Sequence, residues 1–157
     1  MLDQHSLKAG ESTSMSIRYN TYKYPGKFDK TVHVFSGDNE DVIHVVGNVT
    51  PIPMGKMEVA PRKTVVKGLQ KGVEKAVGIT VKNVGDAPMI VTKIVSKKKK
   101  ATYWKGKRHI KAGTSAVITI PVTPQKSGRF MDIIMLYSDA RNDIGKGYKA
   151  VLTGTAQ

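Results

Sequence analysis

Apolar and polar residues alternate along much of this chain, which is typical of strands that expose one face to solvent. In Ser12–Tyr19, for example, Thr13, Met15 and Ile17 lie on one side, and short polar or basic residues lie on the other. Val, Ile and Thr, which favour pleated and half-buried surfaces, are frequent in these windows. The pattern predicts strands at Ser12–Tyr19, Phe28–Phe35, Asp41–Val49, Lys75–Lys82, Met89–Ser96, Ser115–Val122, Phe130–Ser138 and Lys146–Thr155.

Clusters of Gly, Pro, Asn and Asp separate these windows, as at Tyr24–Gly26, Asn83–Pro88, Gln125–Gly128 and Asp139–Asp143. No window of ten residues carries a convincing helical stripe. The sequence therefore predicts an all-β protein, a sandwich of short antiparallel strands.

An internal repeat indicates how the chain is divided. Leu7–Ser12 returns as Ile110–Ser115 at an offset of 103 residues, and Gly26–Phe28 returns as Gly128–Phe130 at an offset of 102. The repeated motifs keep their order and nearly their spacing, so we interpret them as two copies of one structural unit.

The final strand recurs as well, because Val46–Val49 resembles Leu152–Thr155. The repeat predicts that residues 1–50 are the C-terminal half of a β domain, that residues 51–55 are a linker, and that residues 56–157 form a complete β-sandwich.

A half-domain raises a physical question, because a few strands with one apolar face do not stay exposed without risk of association. Three explanations are open at this point. Upstream sequence is missing, the half-sheet packs on the second domain, or another chain completes it.

The chain is strongly basic, with 26 Lys and Arg against 12 Asp and Glu and a formal net charge of +14. The excess is regional, since residues 1–50 sum to −1 and residues 51–157 to +15. Residues 93–111, which we call the basic segment, hold nine Lys or Arg and no acid. Any electrostatic function is therefore expected there.

Three turn motifs carry a family resemblance: Val81–Met89 with its Asn83-Val84-Gly85-Asp86-Ala87-Pro88 turn, Lys111–Ser115 and Gly128–Phe130. They resemble the "N-x-G-x-x-P-L", "x-P-G-x-S" and "G-x-F" motifs of the ASH domains. That family, named for abnormal spindle and hydin, is grouped with the major-sperm-protein-like sandwiches and has bacterial relatives of unknown function. The match covers most of residues 55–157, and residues 7–50 as a half copy. The resemblance implies an immunoglobulin-like antiparallel β-sandwich, with residues 56–157 as one full Ig-like copy and residues 1–50 as the C-terminal half of another.

The resemblance implies structural roles for several residues. Gly85 would have a positive φ, Pro88 would start a strand, and Trp104 would be a core residue with Tyr103 facing the other way. One departure stands out, because many bacterial relatives have a Cys-Gly-Cys-Thr segment where this chain has Ser96–Thr102. Any thiol-based or metal role of that segment is therefore not carried over.

We expect no enzyme activity, no cofactor, no metal site and no small-molecule substrate. The chain has no cysteine, and the phosphate-binding, nucleophile and zinc motifs are absent. His33 and His44 lie in neighbouring predicted strands, but they lack a third ligand, for which Asp41 is only a loose candidate. Asp139–Gly145 lacks the acidic spacing and the closing Glu of a calcium loop.

The basic segment is the candidate site for a partner, since dense positive charge with aromatic residues suits an anionic polymer or surface. The alternative is a solvated loop, or an edge strand that its charge protects from pairing. The candidate residues for polyanion binding are Lys97, Lys98, Lys99, Lys100, Tyr103, Lys105, Lys107, Arg108 and Lys111.

The expected function is that of a non-catalytic scaffold or interaction module with a protein partner or self-association; the alternative is a nucleic-acid or polyanion-binding protein. No apolar run approaches the roughly 20 residues of a membrane span, and Met1–Ser6 shows no signal peptide. The resemblance to exported relatives implies a periplasmic or extracellular location in a bacterium, with the signal absent from this chain. A cytoplasmic location is the alternative.

Overall fold

The computed structural model describes residues 6–157, and within this range it contains strands and turns but no helix. The predicted all-β class is confirmed. The strands are β1 (Gly26–Ser36), β2 (Asn39–Val49), β3 (Met57–Val59), β4 (Lys63–Leu69), β5 (Lys75–Asn83), β6 (Met89–Ser96), β7 (Thr102–Ile110), β8 (Ser115–Val122), β9 (Gly128–Ser138) and β10 (Tyr148–Ala156).

The chain divides into two compact units, unit 1 ending at Pro51 and unit 2 spanning Ile52–Gln157. The sheet of unit 1 is the antiparallel hairpin β1–β2, in register from Gly26 opposite Val49 to Ser36 opposite Asn39. The described residues before the hairpin contain turns and one isolated bridge residue, Met15.

Unit 2 is a sandwich of two sheets, one with strand order β4-β10-β9-β6-β7 and one with order β3-β5-β8. Its ladders are antiparallel except for β4, which runs parallel to β10. The core lies between the sheets because the inward residues of each strand are apolar. Val81 and Ile120 from one sheet and Ile94, Ile134 and Leu152 from the other are all fully buried.

Seven of the eight predicted strands are present, with small shifts at their ends. The prediction at Ser12–Tyr19 was wrong, because this segment is not a strand in the structure. Its counterpart 103 residues later is β8, which pairs with β5. Nothing in residues 6–50 corresponds to β5, so the segment has the right alternation but lacks the ladder that would make it a strand.

Three strands were not predicted, namely β3, β4 and β7. Strand β3 has only three residues, and β4 and β7 lie at the two edges of the five-stranded sheet. Edge strands tolerate Lys, Arg and Gly because one side of their backbone faces solvent, so their composition does not resemble that of a central strand.

The repeat is visible in the ladders as well as in the residues. Phe28 lies opposite Gly47 in the first hairpin, as Phe130 lies opposite Gly154 in the second. This register matches Gly47 with Gly154, one position away from the match that the residues alone indicate. The assignment of residues 1–50 as half of a domain stays a prediction, which these equivalences support.

The repeated turns at Lys8–Glu11 and Lys111–Thr114 also have the same hydrogen bond and the same glycine conformation. The N–H of Glu11 donates to the carbonyl of Lys8 at 3.0 Å, and the N–H of Thr114 donates to the carbonyl of Lys111 at 3.1 Å. The glycine within each turn has a positive φ, 82° at Gly10 and 73° at Gly113. Both turns therefore require glycine for the same reason.

The Asn83–Pro88 turn is held by a buried side chain. The Asn83 amide oxygen accepts from the N–H groups of Lys56 and Gly85, and its nitrogen donates to the carbonyls of Ala87 and Ile110. All four hydrogen bonds lie between 2.8 and 3.1 Å, which satisfies the amide completely.

The expected positive φ at Gly85 was wrong, since Gly85 is not among the residues with that geometry. Glycine is needed there for space instead. A Cβ at this position would overlap the backbone of Met54 and Lys56.

Candidate interaction surfaces

Residues directly opposite in the β1–β2 ladder lie on the same face of the hairpin, and one face is largely apolar. We call it the hairpin face. It carries Phe28, Lys30, Val32, Val34, Asp41, Ile43, Val45, Gly47 and Val49.

None of the residues between 6 and 53 is buried, so the hairpin face lacks the cover that a sandwich would give it. Ile43 is 39% exposed, whereas its register-matched counterpart Ala150 is 2% exposed. Val32 is half-buried, and its counterpart Ile134 is fully buried. In unit 2 the three-stranded sheet provides this cover, and the described part of unit 1 forms no equivalent sheet.

The segment before the hairpin reaches part of the hairpin face. The rings of Tyr19 and Phe28 have centroids 4.7 Å apart, and the Lys30 ammonium lies 5.4 Å from the centroid of the Tyr19 ring. Thr13, Met15 and Tyr19 are half-buried, which agrees with the alternation in the sequence. The segment therefore contacts the hairpin face, which corresponds to the inner face of β9–β10 in unit 2.

The opposite face of the hairpin is more polar. His44 pairs with Asp29 at 3.0 Å, and His33 pairs with Glu40. Each histidine therefore has a carboxylate partner of its own. No cluster of three or more candidate metal ligands occurs within residues 6–157. His5 lies outside the described residues.

The basic segment follows one edge of unit 2. Lys97–Lys100 form an exposed turn between β6 and β7, and Lys105, Lys107 and Arg108 are exposed on β7. Strand β7 has β6 on one side and is the edge of its sheet. Lys111 follows in the turn to β8. The candidate cations thus form a row along one exposed edge strand and its two flanking turns.

A buried carboxylate fixes one end of this row. Asp132, only 1% exposed, accepts hydrogen bonds from the Ser96 hydroxyl at 2.9 Å and from the Tyr103 hydroxyl at 2.6 Å. The Ser96 oxygen in turn accepts from the N–H of Lys99 at 2.9 Å. The lysine turn is therefore tied to the core through Ser96 and Asp132.

Tyr103 does not face away from the core as expected. Trp104 lies opposite Ile94 and Thr102 lies opposite Val95, so Tyr103 is an extra residue at a bulge. Both aromatic side chains pack against the core as a result. Burial, followed by the hydrogen bond to Asp132, raises the pKa of the Tyr103 hydroxyl well above its usual range.

Like charges face each other in the ladder beside this row. Lys93 of β6 lies directly opposite Lys105 of β7, an arrangement that destabilises an isolated sheet. The Lys93 ammonium is 4.4 Å from the centroid of the Tyr137 ring, which offsets part of this cost. Lys99 donates to the carbonyl of Thr123 at 2.6 Å, so its ammonium is partly engaged.

An open cleft of about 310 Å³ lies at the end of unit 2 that contains the Asn83 turn. Lys56, Asp86 and Arg141 provide its charged side chains. The N–H of Met54, followed by that of Asp86 itself, holds the pKa of the Asp86 carboxyl below its usual range, and Arg141 adds to the effect. The Arg141 guanidinium donates to the carbonyl of Ile52 at 2.5 Å, so these charges support the turn.

The sequence interpretation missed Asp132, the residue that organises the aromatic pair and the lysine turn. A signal was present, because Phe130, Asp132, Ile134 and Leu136 share one side of an alternating strand. A single carboxylate among inward apolar residues indicates a buried polar contact.

Within the described residues, no helix is long and apolar enough to cross a bilayer.

No family model matches this chain, and no curated protein matches it. Solved structures do. A protein of unknown function from Porphyromonas gingivalis W83 aligns over 99% of this chain and 79% of its own, with a TM-score of 0.51 and 20% identity. At this identity the likeness shows a shared fold.

Two further solved structures are similar at lower scores. The ASH / PapD-like domain of human CEP192 (PapD-like domain 7) has a TM-score of 0.48 and 11% identity over 73% of this chain and 94% of its own. The MSP family member WR4 of C. elegans has a TM-score of 0.38 and 8% identity over 64% and 97%. The chain has the immunoglobulin-like sandwich fold that its turn motifs implied.

Proposed function

We propose that this chain is a non-catalytic interaction module of a scaffold or assembly, and that unit 1 binds a polypeptide that completes it. One observation carries the proposal: the hairpin face is largely apolar and only partly covered, whereas the matched face of β9–β10 is covered by a second sheet. Covering apolar area is the main favourable term in protein association. A partner that adds a strand to β1 and covers this face would supply what unit 1 lacks.

Strand addition at β1 is consistent with the pairing of its sheet. In unit 2 the equivalent strand β9 lies between β10 and β6. Among the described residues β1 pairs with β2 alone, so its other edge has the position that β6 occupies in unit 2. Backbone hydrogen bonds along that edge would add to the apolar contact.

The test uses the full chain and a defined probe. The peptide Ala87–Lys98, which carries the β6 sequence, is added to isotopically labelled protein, and backbone amide shifts are recorded. We expect shifts concentrated in β1 and their loss in Val32→Asp. Val46→Asp is the matched control because Val46 lies on the opposite face and is 67% exposed.

Sedimentation at two protein concentrations shows whether a second copy serves as the partner. Concentration-dependent association that Val32→Asp abolishes and Val46→Asp retains would support self-assembly through unit 1. If neither the peptide nor a second copy perturbs β1–β2, the proposed function is wrong.

Polyanion binding is the second candidate function, favoured by the row of cations along β7 and its flanking turns. Tyr103 is packed against the core, so we propose the lysine and arginine residues as the contacts. Replacing Lys97–Lys100 by Ser should weaken heparin and DNA binding and reduce the salt slope. The matched control replaces four other exposed lysines by Ser: Lys63, Lys67, Lys71 and Lys82. Equal losses in the two variants would show that only net charge matters.

We also propose a cell-envelope or extracellular setting, which the resemblance to exported bacterial relatives supports. Fractionation of the native organism followed by protease treatment of intact cells tests the location. Recovery of the protein only in the cytoplasmic fraction would contradict it.

A further inference from the structure

The β1–β2 hairpin differs from its counterpart in charge at two positions on the hairpin face. Where β9 carries Asp132, β1 carries Lys30, since Lys30 lies opposite Val45 as Asp132 lies opposite Leu152. Where β10 carries Tyr148, β2 carries Asp41, which lies opposite Val34, two ladder pairs away from Lys30. The positions directly beside Lys30 on this face, at Phe28, Val32, Ile43 and Val45, keep their apolar character. The two copies therefore present charges of opposite sign at the same place in the fold.

This position has a defined contact in unit 2. The Asp132 carboxylate is 1% exposed and accepts hydrogen bonds from Ser96 of β6 and Tyr103 of β7. Ser96 lies on β6, which pairs with β9, and Tyr103 lies on β7, the next strand of the same sheet. Ser96 of β6 lies opposite Ile134, and its side chain reaches Asp132 on the same face. A strand that pairs with β1 as β6 pairs with β9 would place the residue equivalent to Ser96 opposite Val32, next to Lys30.

Among the residues that the structure describes, Lys30 has no anionic partner. The described residues contain ion pairs at His33 and His44 and none at Lys30. Its ammonium lies over the ring of Tyr19 and its side chain is exposed. Covering the hairpin face would remove water from this cation, which is costly unless a carboxylate accompanies it.

We propose that the partner strand completing unit 1 carries a carboxylate that faces Lys30. This inference rests on the proposed function and names the chemistry of its partner: an extended segment of another polypeptide with alternating apolar residues and an Asp or Glu at the Ser96 position. The corresponding strands of a second copy are a weaker partner, because they offer hydroxyls and no carboxylate at this position.

The test compares three fluorescein-labelled peptides of Ala87–Lys98 with the full chain by fluorescence anisotropy. One keeps Ser96, one has Ser96→Glu and one has Ser96→Lys. We expect the Ser96→Glu peptide to bind at least about fivefold more tightly than the Ser96 peptide, and the Ser96→Lys peptide to bind most weakly.

Variants of the protein provide the decisive comparison. Lys30→Glu should reverse the order of the three peptides, and Lys30→Met should abolish the differences. Lys27→Glu is the matched control, because it makes the same charge change on the opposite face of β1 and should preserve the original order. A scrambled Ser96→Glu peptide controls for non-specific attraction to the basic chain.

The outcomes separate the two proposals. Equal binding of all peptides, with amide shifts still at β1, would overturn the carboxylate proposal and leave the proposed function intact. The same follows if Lys27→Glu changes the order as strongly as Lys30→Glu, or if a second copy occupies the hairpin face. Failure of every probe to contact β1–β2 would overturn both.

Discussion

The Tyr103 hydroxyl donates a hydrogen bond of 2.6 Å to the buried Asp132 carboxylate. This contact joins the edge strand β7 to the central strand β9 across β6. It also explains why an aromatic residue within the basic segment is packed into the core and not displayed to a partner.

Replacing Asp132 with Ala should lower the free energy of unfolding of unit 2 by about 2–4 kcal/mol, because two buried hydroxyls would lose a charged acceptor. Urea denaturation followed by the fluorescence of Trp104, the single tryptophan of the chain, measures this change. Asp139→Ala, on an exposed loop, is expected to cost less. An unchanged midpoint in Asp132→Ala would show that the network contributes nothing to stability.

The pH dependence of stability should reveal Tyr103 under alkaline conditions. Its pKa is raised in the folded state, so its contribution is fully present below the unfolded value of about 10. Above that pH the unfolded chain loses the tyrosine proton first, and stability falls as pH rises toward the folded pKa.

Urea denaturation of wild type and Tyr103→Phe between pH 8 and 11 isolates this contribution from that of the other tyrosines and lysines. The difference in unfolding free energy between the two proteins should shrink above about pH 10. A constant difference across the range would contradict the raised pKa.

Asn83→Ala should destabilise unit 2 by about 2–4 kcal/mol, since the Asn83 amide makes four hydrogen bonds to backbone groups of three segments. Thermal or urea unfolding gives the magnitude. Val84→Ala changes the neighbouring exposed residue and should have little effect. A loss as small as that of the control would mean that water replaces the amide.

Much of the fold follows from sequence periodicity, and its failures have physical causes. Central strands such as β5 and β9 were predicted because apolar residues that face the core alternate with more exposed residues along them. Strand β7 was missed because an edge accommodates Lys105, Lys107 and Arg108. The Ser12–Tyr19 strand was predicted wrongly because alternation reports on side chains and not on the presence of a pairing strand.

The site was harder to anticipate for a related reason. The charge of the basic segment is evident in the sequence, but the bulge that turns Tyr103 inward depends on a ladder register that no local pattern reveals. The sequence repeat aligns Lys30 with Asp132 at the offset of 102 residues, but only the ladders show that both lie on the same face of their hairpins, opposite Val45 and Leu152. Local patterns predict elements, and pairing decides which residues meet.

Lys105→Glu should raise the free energy of unfolding by about 0.5 kcal/mol and weaken polyanion binding, because it places opposite charges across the ladder from Lys93. Chemical denaturation and heparin titration measure the two effects. Lys27→Glu provides a charge-matched control in unit 1. Stabilisation without any loss of binding would show that the cations of β7 only protect an edge.

The central claim is that unit 1 is an incomplete sandwich that a polypeptide completes, and amide hydrogen exchange of the full chain tests it most directly. We predict that β1 amides exchange at least about a thousandfold faster than β9 amides in the free protein, and that the Ser96→Glu peptide slows them selectively. If β1 is already as protected as β9 in the free monomer, unit 1 is complete by itself and the account is contradicted.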